Sequence, residues 1–190
     1  MVSTALHPCP YCAIEVAGGG IHASHPNAGR RDPIDVLMRD HEFLAGCLDR
    51  VEKASTLIEQ EGFDLDAFDT IVDAVHHISR EIRGHHHREE DVLMPFLQRH
   101  TTHESAELPR THLELWAALE HVVDTLRDIE EGRLLGLSVE GLVHSILVVT
   151  GAIREHLTME NTKLFPLTLA LLTEDEYAEL TITMNQALEG

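Results

Sequence analysis

Four long stretches of the chain alternate apolar and polar residues with the period of an α-helix. The first carries Ile34, Leu37, Met38, His41, Leu44, Ala45, Leu48 and Val51 on one helix face. Asp32-Pro33 supplies a cap and a proline at the first helical position, and Gly62 is placed to end the helix. Asp64 can cap a second helix with the stripe Ile71, Val75, Ile78, Ile82, His85, Glu89, Val92, Leu93 and Phe96, in which Pro95 is expected to bend the last turn. Pro109 is expected to open a third, with His112, Leu115, Leu119, Val122, Leu126 and Ile129 facing inward as far as about Gly132. Ser138 can cap a fourth, striped by Leu142, Ile146, Val149, Ile153, His156, Glu160, Leu164 and Leu167. Thr173-Glu174-Asp175-Glu176 reads as a capping box for a short fifth helix, a lid or brace across one end. Short loops between four amphipathic helices predict an all-α, antiparallel up-down-up-down four-helix bundle over residues 32–172, with a short C-terminal helix over 173–190. Residues 1–31 show no period and read as an irregular N-terminal tail.

Composition sharpens this picture. With 190 residues and 43% hydrophobic content, one domain with a packed core is expected. The formal net charge of −19 argues against nucleic acid or an anionic membrane as partner. There is no apolar run of spanning length and no signal-peptide pattern at the start, and three cysteines make no disulfide framework, so a cytoplasmic protein is expected. Histidine stands out, at 15 residues.

The histidines fall into a repeat. At an offset of 71, His41 matches His112, His85 matches His156, Glu89 matches Glu160, Leu93 matches Leu164 and Pro95 matches Pro166. His85 and Glu89 are four apart and share a helix face, as do His156 and Glu160. All six sit on apolar stripes. A single histidine there would usually be a core residue with its hydrogen bonds satisfied, but two stripe glutamates are costly unless paired or metal-bound. Four imidazoles and two carboxylates suit two metals, each with two imidazoles and both carboxylates bridging. Iron, manganese and zinc all accept such donors, and iron is favoured because open positions on a bridged pair suit dioxygen-type ligands.

These residues resemble the hemerythrin-like, or HHE cation-binding, family over roughly residues 34–170. The motifs are Arg39-Asp40-His41-Glu42, His85-His86-His87-Arg88-Glu89-Glu90 with Leu93-Met94-Pro95, His112, and His156-Leu157-Thr158-Met159-Glu160 with Leu164-Phe165-Pro166. The resemblance implies a non-haem di-iron site with an oxo or hydroxo bridge. Oxygen-carrying members have a further histidine one turn from the third and an aspartate as last acid. This chain has Leu108 and Trp116 one turn either side of His112, and Glu160 as last acid. The pattern is therefore more similar to members linked to nitric oxide, peroxide or iron–sulfur repair. The ferritin-like alternative, built on Glu-x-x-His, has the reverse order.

Other residues carry weaker signals. His86, about 100° round the helix from His85, is expected to back the ligands, and His87 to face solvent. His76 or His77 could supply a fifth imidazole, Trp116 packs in the core or walls the pocket, and Cys47 is structural. In the tail, Cys9, Cys12, His22 and His25 form C-x2-C-x9-H-x2-H, readable as a second site for zinc, as a redox dithiol, or as incidental. The functions expected are binding or reduction of dioxygen, nitric oxide or hydrogen peroxide at the iron pair, with an electron donor. Iron storage or donation and a sensor without turnover are the alternatives.

Overall fold

The computed structural model describes residues 30–101, 104–133 and 139–189. Helix α1 (Pro33–Glu61) starts where Asp32 accepts from the backbone N–H groups of Ile34 and Asp35, and stops at Gly62, whose φ of 90° releases the chain from helical geometry. Asp64 caps α2 (Leu65–Arg88) by accepting from Ala67 N–H. The helix axis then runs on through a π-helical turn, Glu89–Leu93, into α3 (Met94–Leu97). Helix α4 (Glu104–Glu130) is followed by α5 (Val139–Met159), a second π-helical turn (Glu160–Leu164) and α6 (Phe165–Leu171). Helix α7 (Glu174–Ala187) opens on the expected Thr173–Glu176 capping box.

The packing closes a ring. α1 lies against α2 and α5, α2 against α4, and α4 against α5. Three residues join α1 to α2, which forces them antiparallel. The fold is the all-α bundle with a C-terminal helix, and no strand occurs among the described residues.

Three expectations need correction. Pro109 lies inside α4 rather than at its start, because the helix begins at Glu104. As the sixth helical residue it donates no N–H to the carbonyl four residues back, so one bond of the ladder is missing there. Met38 turns outward at 44% exposed, while Cys47 takes the inward position as a free thiol. Pro95 does not simply bend the helix: the backbone widens into a π-turn before it. Ser138 and the tail, including Cys9, Cys12, His22 and His25, lie outside the described residues.

Two apolar clusters form the interior. The larger is built from the body of all four long helices, including Leu44, Leu48, Ile78, Ile82, Leu119, Leu126 and Ile153. The smaller joins Ile34, Leu37, Leu93, Phe96, Leu164 and Phe165 to Leu180 and Met184 of α7. Tyr177 fastens α7 by donating from its hydroxyl to the Asp32 carboxylate at 2.9 Å. Asn185 adds a two-way bond with the Arg31 backbone. The histidine-rich layer falls between the residues of these clusters along each helix.

Candidate metal centre

The repeat becomes local geometry at the two prolines. Pro95 and Pro166 have no N–H to donate, and each ring crowds the carbonyl four residues back. The backbone responds by moving to i→i+5 bonding, with Met94 N–H on the Glu89 carbonyl and Phe165 N–H on the Glu160 carbonyl. Each π-turn starts at the glutamate of the His-x-x-x-Glu motif. Such turns are rare and recur at functional sites. The Leu-x-Pro repeat was their sequence signal.

All six expected residues meet in the bundle interior, none more than 4% exposed. His41 Nε2 is 2.9 Å from His85 Nε2 and 3.2 Å from Glu160 Oε2. His85 Nε2 is 3.6 Å from Glu89 Oε2. On the other side, His112 Nε2 is 3.4 Å from Glu89 Oε2, and His156 Nε2 is 2.7 Å from Glu160 Oε1. Two donor groups result: His41, His85, Glu89 and Glu160, and Glu89, His112, His156 and Glu160. The two carboxylates belong to both.

These donors fit metal ions. Both oxygens of Glu89 and of Glu160, Nε2 of His112 and both nitrogens of His156 are buried with no oriented hydrogen bond among the described residues. Leaving that many polar atoms unsatisfied is costly, and converging lone pairs around cations relieve it. The charges tell the same story. Burial pushes Glu89 up to about 7, helped by the neighbouring Glu160 charge. Burial also pushes Glu160 up, but His112, His156, His41 and His85 more than offset it, so this carboxyl sits well below its usual range. Burial lowers His85, yet the Glu89 charge, the bond to Asp40 and the Glu160 charge carry it to about 10. His112 reaches about 9 against the same burial, through Glu160 and Glu89. Without metal, the raised His85 and His112 imidazoles supply positive charge to these acids. A metal would take over that role.

Outward-facing nitrogens are held as ligand imidazoles require. His112 Nδ1 is 2.6 Å from Glu90 Oε1, His41 Nδ1 is 3.0 Å from Asn161 Oδ1, and His85 Nδ1 is 3.4 Å from Asp40 Oδ2. With a metal bound, each Nδ1–H would donate to an oxygen and leave Nε2 with its lone pair directed inward. Arg88 holds Asp40 in turn, at 2.7 Å. Glu90 and Asn161 are themselves 71 positions apart, so each half of the repeat steadies the first histidine of the other. These partners were missed in the sequence, although both directly follow the motif glutamates.

His156 Nδ1 differs. At the position 71 after Asp40 stands Thr111. Thr111 and His156 line a groove of about 790 Å³ with Leu108, Leu115 and Leu164.

His86 was expected only to back the ligands. It is fully buried, and its ring lies 3.6 Å from that of His112 with the planes 4° apart. Burial and the charges of His112 and His85 beside it lower it to about 2, so the ring is neutral. Helix α2 packs on both α1 and α4, so its buried arc takes in two adjacent residues: His85 meets His41, and His86 meets His112. His76 is exposed and His77 pairs with Asp73 at 3.4 Å, so neither belongs to the centre. His87 faces solvent beside Asp91, as expected. Trp116 is half-buried, 5.7 Å from the His86 ring, and walls this side.

A helical bundle whose interior presents imidazole and carboxylate donors in two groups, with both carboxylates common to each, is a metal-binding bundle. The chain belongs to the hemerythrin family, matching the hemerythrin HHE cation binding domain over residues 32–168. No curated protein and no solved structure matches it. No helix among the described residues is long and apolar enough to cross a membrane.

Proposed function

We propose that this protein is a non-haem di-iron protein that binds or reduces a small ligand, namely dioxygen, nitric oxide or hydrogen peroxide. The observation that carries the reading is the sharing of Glu89 and Glu160 between two histidine pairs. His41 and His85 would hold one iron and His112 and His156 the other, with Glu89 and Glu160 available to both. Two imidazoles with carboxylate is a donor set that suits ferrous iron and leaves positions open for a ligand. The bound iron would act as Lewis acid and electron donor. The chain's own part is to fix the imidazole tautomers through Glu90, Asn161 and Asp40, and to wrap the donors in apolar side chains. Electrons for any turnover come from an outside donor, and a cytoplasmic setting suits such chemistry.

The test is iron content and the near-ultraviolet and visible spectrum, on wild type and on a His85→Ala, His156→Ala double variant. The expected result is about two irons per wild-type chain, with bridged-ferric absorption that the variant lacks. Peroxide or nitric oxide consumption by the loaded protein would then support turnover. Reversible ligand binding alone would favour a sensor, and ready loss of iron to a mild chelator with the fold kept would favour iron donation. A wild-type chain that takes up no metal after iron reconstitution would overturn the reading.

A further inference from the structure

Trp116 is the one tryptophan of the chain. Its ring is partly exposed, yet the indole Nε1 is buried and has no hydrogen-bond partner among the described residues. A buried indole N–H usually finds an acceptor, so hydrogen bonding does not explain why an indole stands here. What the ring meets is a stack. Its centroid is 5.7 Å from that of His86 with the planes at 31°, and His86 lies flat on His112 at 3.6 Å. Trp116 is also 6.4 Å from His112 directly. Three neighbouring π-systems thus run from a candidate iron ligand to the bundle surface. The opposite half of the repeat has no such run. The position 71 after His86 is Leu157, and the position 71 before Trp116 is Ala45. The two aromatic departures from the repeat are each other's neighbours.

We propose that Trp116 is a one-electron relay between the metal centre and the surface, through which hydrogen peroxide at the centre oxidises a phenolic reductant that never enters the bundle. This deepens the di-iron reading above and rests on it. Electron transfer weakens steeply with the gap between donor and acceptor, and the closely spaced rings keep each gap short. Indole gives up an electron more readily than imidazole, so the charge comes to rest on Trp116. In the first step the centre, oxidised by peroxide, takes one electron from Trp116. The indole becomes a cation radical and keeps its proton, because Nε1–H has no acceptor. The net charge of −19 favours a positive charge there. A phenol at the surface then returns the electron to Trp116, releases its own proton to water and leaves as a phenoxyl radical. Two such transfers balance each peroxide: one hydrogen peroxide and two phenols give two waters and two phenoxyl radicals.

The experiment mixes the iron-loaded full chain with hydrogen peroxide and records electron paramagnetic resonance after rapid freezing. Wild type made with ring-deuterated tryptophan is run beside ordinary wild type, Trp116→Phe and His86→Leu. Expected is an organic radical signal that narrows on deuteration, is lost in Trp116→Phe and weakens in His86→Leu. A phenol coupled to dextran, too large to enter the bundle, should be oxidised by wild type and not by Trp116→Phe. Iron-loaded wild type that gives no tryptophan radical would overturn the proposal, as would dextran-phenol oxidation unchanged in Trp116→Phe. An unchanged radical in a folded, iron-loaded His86→Leu chain would overturn the part given to His86. Should that variant fail to fold, Trp116→Phe, which keeps an aromatic ring in place, still decides. Wild type that takes up no iron would instead overturn the underlying reading, and the relay with it.

Discussion

On the His41–His85 side of the centre, His85 leans on the Asp40 carboxylate, which Arg88 pins, and His41 leans on the neutral Asn161 amide. On the His112–His156 side, His112 leans on the charged Glu90, while His156 has Thr111 where the repeat would place an aspartate, and it borders a groove. The same side carries the extra imidazole of His86. Two halves with one repeated pattern thus hold their donors by different means: one is braced at both histidines, the other at one, with a further imidazole packed beside it. The difference teaches that the repeat sets where the donors stand, whereas their neighbours set how firmly each is held.

The largest effect should come from removing what the two sides share. Glu160→Ala deletes a carboxylate that contacts His41, His112 and His156. Metal content by elemental analysis should fall from about two per chain to near zero, because both donor groups lose a shared carboxylate at once. One metal retained at full affinity would show that the sides are independent.

Breaking the outer braces should separate the halves. Glu90→Ala and Asn161→Ala should each weaken metal binding by about 10-fold, Glu90 more because its bond to His112 is charged and shorter. Competition with a chromophoric chelator measures both. Equal losses would mean that the charge of Glu90 adds nothing.

A smaller effect, of opposite sign, is expected for stability without metal. His86→Leu removes a buried ring whose nitrogens have no partner, and should stabilise the metal-free protein by about 1–2 kcal/mol. Thermal or urea unfolding of the metal-free chains reads this directly. A destabilised variant would mean that His86 packs better than its polarity suggests.

The smallest effect lies outside the repeat, in α7. Bonds from Thr173 and then His100 hold the Glu176 carboxyl down to about 2, from 4.5. A depressed folded-state value stabilises the fold above pH 4.5, and that contribution is lost as pH falls toward 2. Glu176→Gln should therefore lower the melting temperature near neutral pH, with the gap to wild type closing as pH falls from 4.5 toward 2. Metal content should not change, since α7 has no counterpart in either half.

The bundle was legible because its cues are local. Asp32-Pro33, Asp64, Gly62 and Thr173–Glu176 mark helix ends by backbone chemistry that needs no distant partner. The six candidate donors were legible because the 71-residue offset repeats histidine, glutamate and proline together on apolar stripes. Pro109 misled because a proline reads as a helix start unless the preceding turn is seen to be helical.

By itself, then, the sequence determined the helices, their inward faces and the turn at which each His-x-x-x-Glu motif sits, since these follow from periodicity and from residues close along the chain. Only the tertiary structure decided that His86 faces His112 rather than solvent, and that Glu90 and Asn161 each reach across to the opposite half. The physical reason is that a helix in a four-helix bundle buries an arc set by two neighbours. Which side chain falls within that arc depends on where the neighbours lie, and no period along one chain segment encodes that.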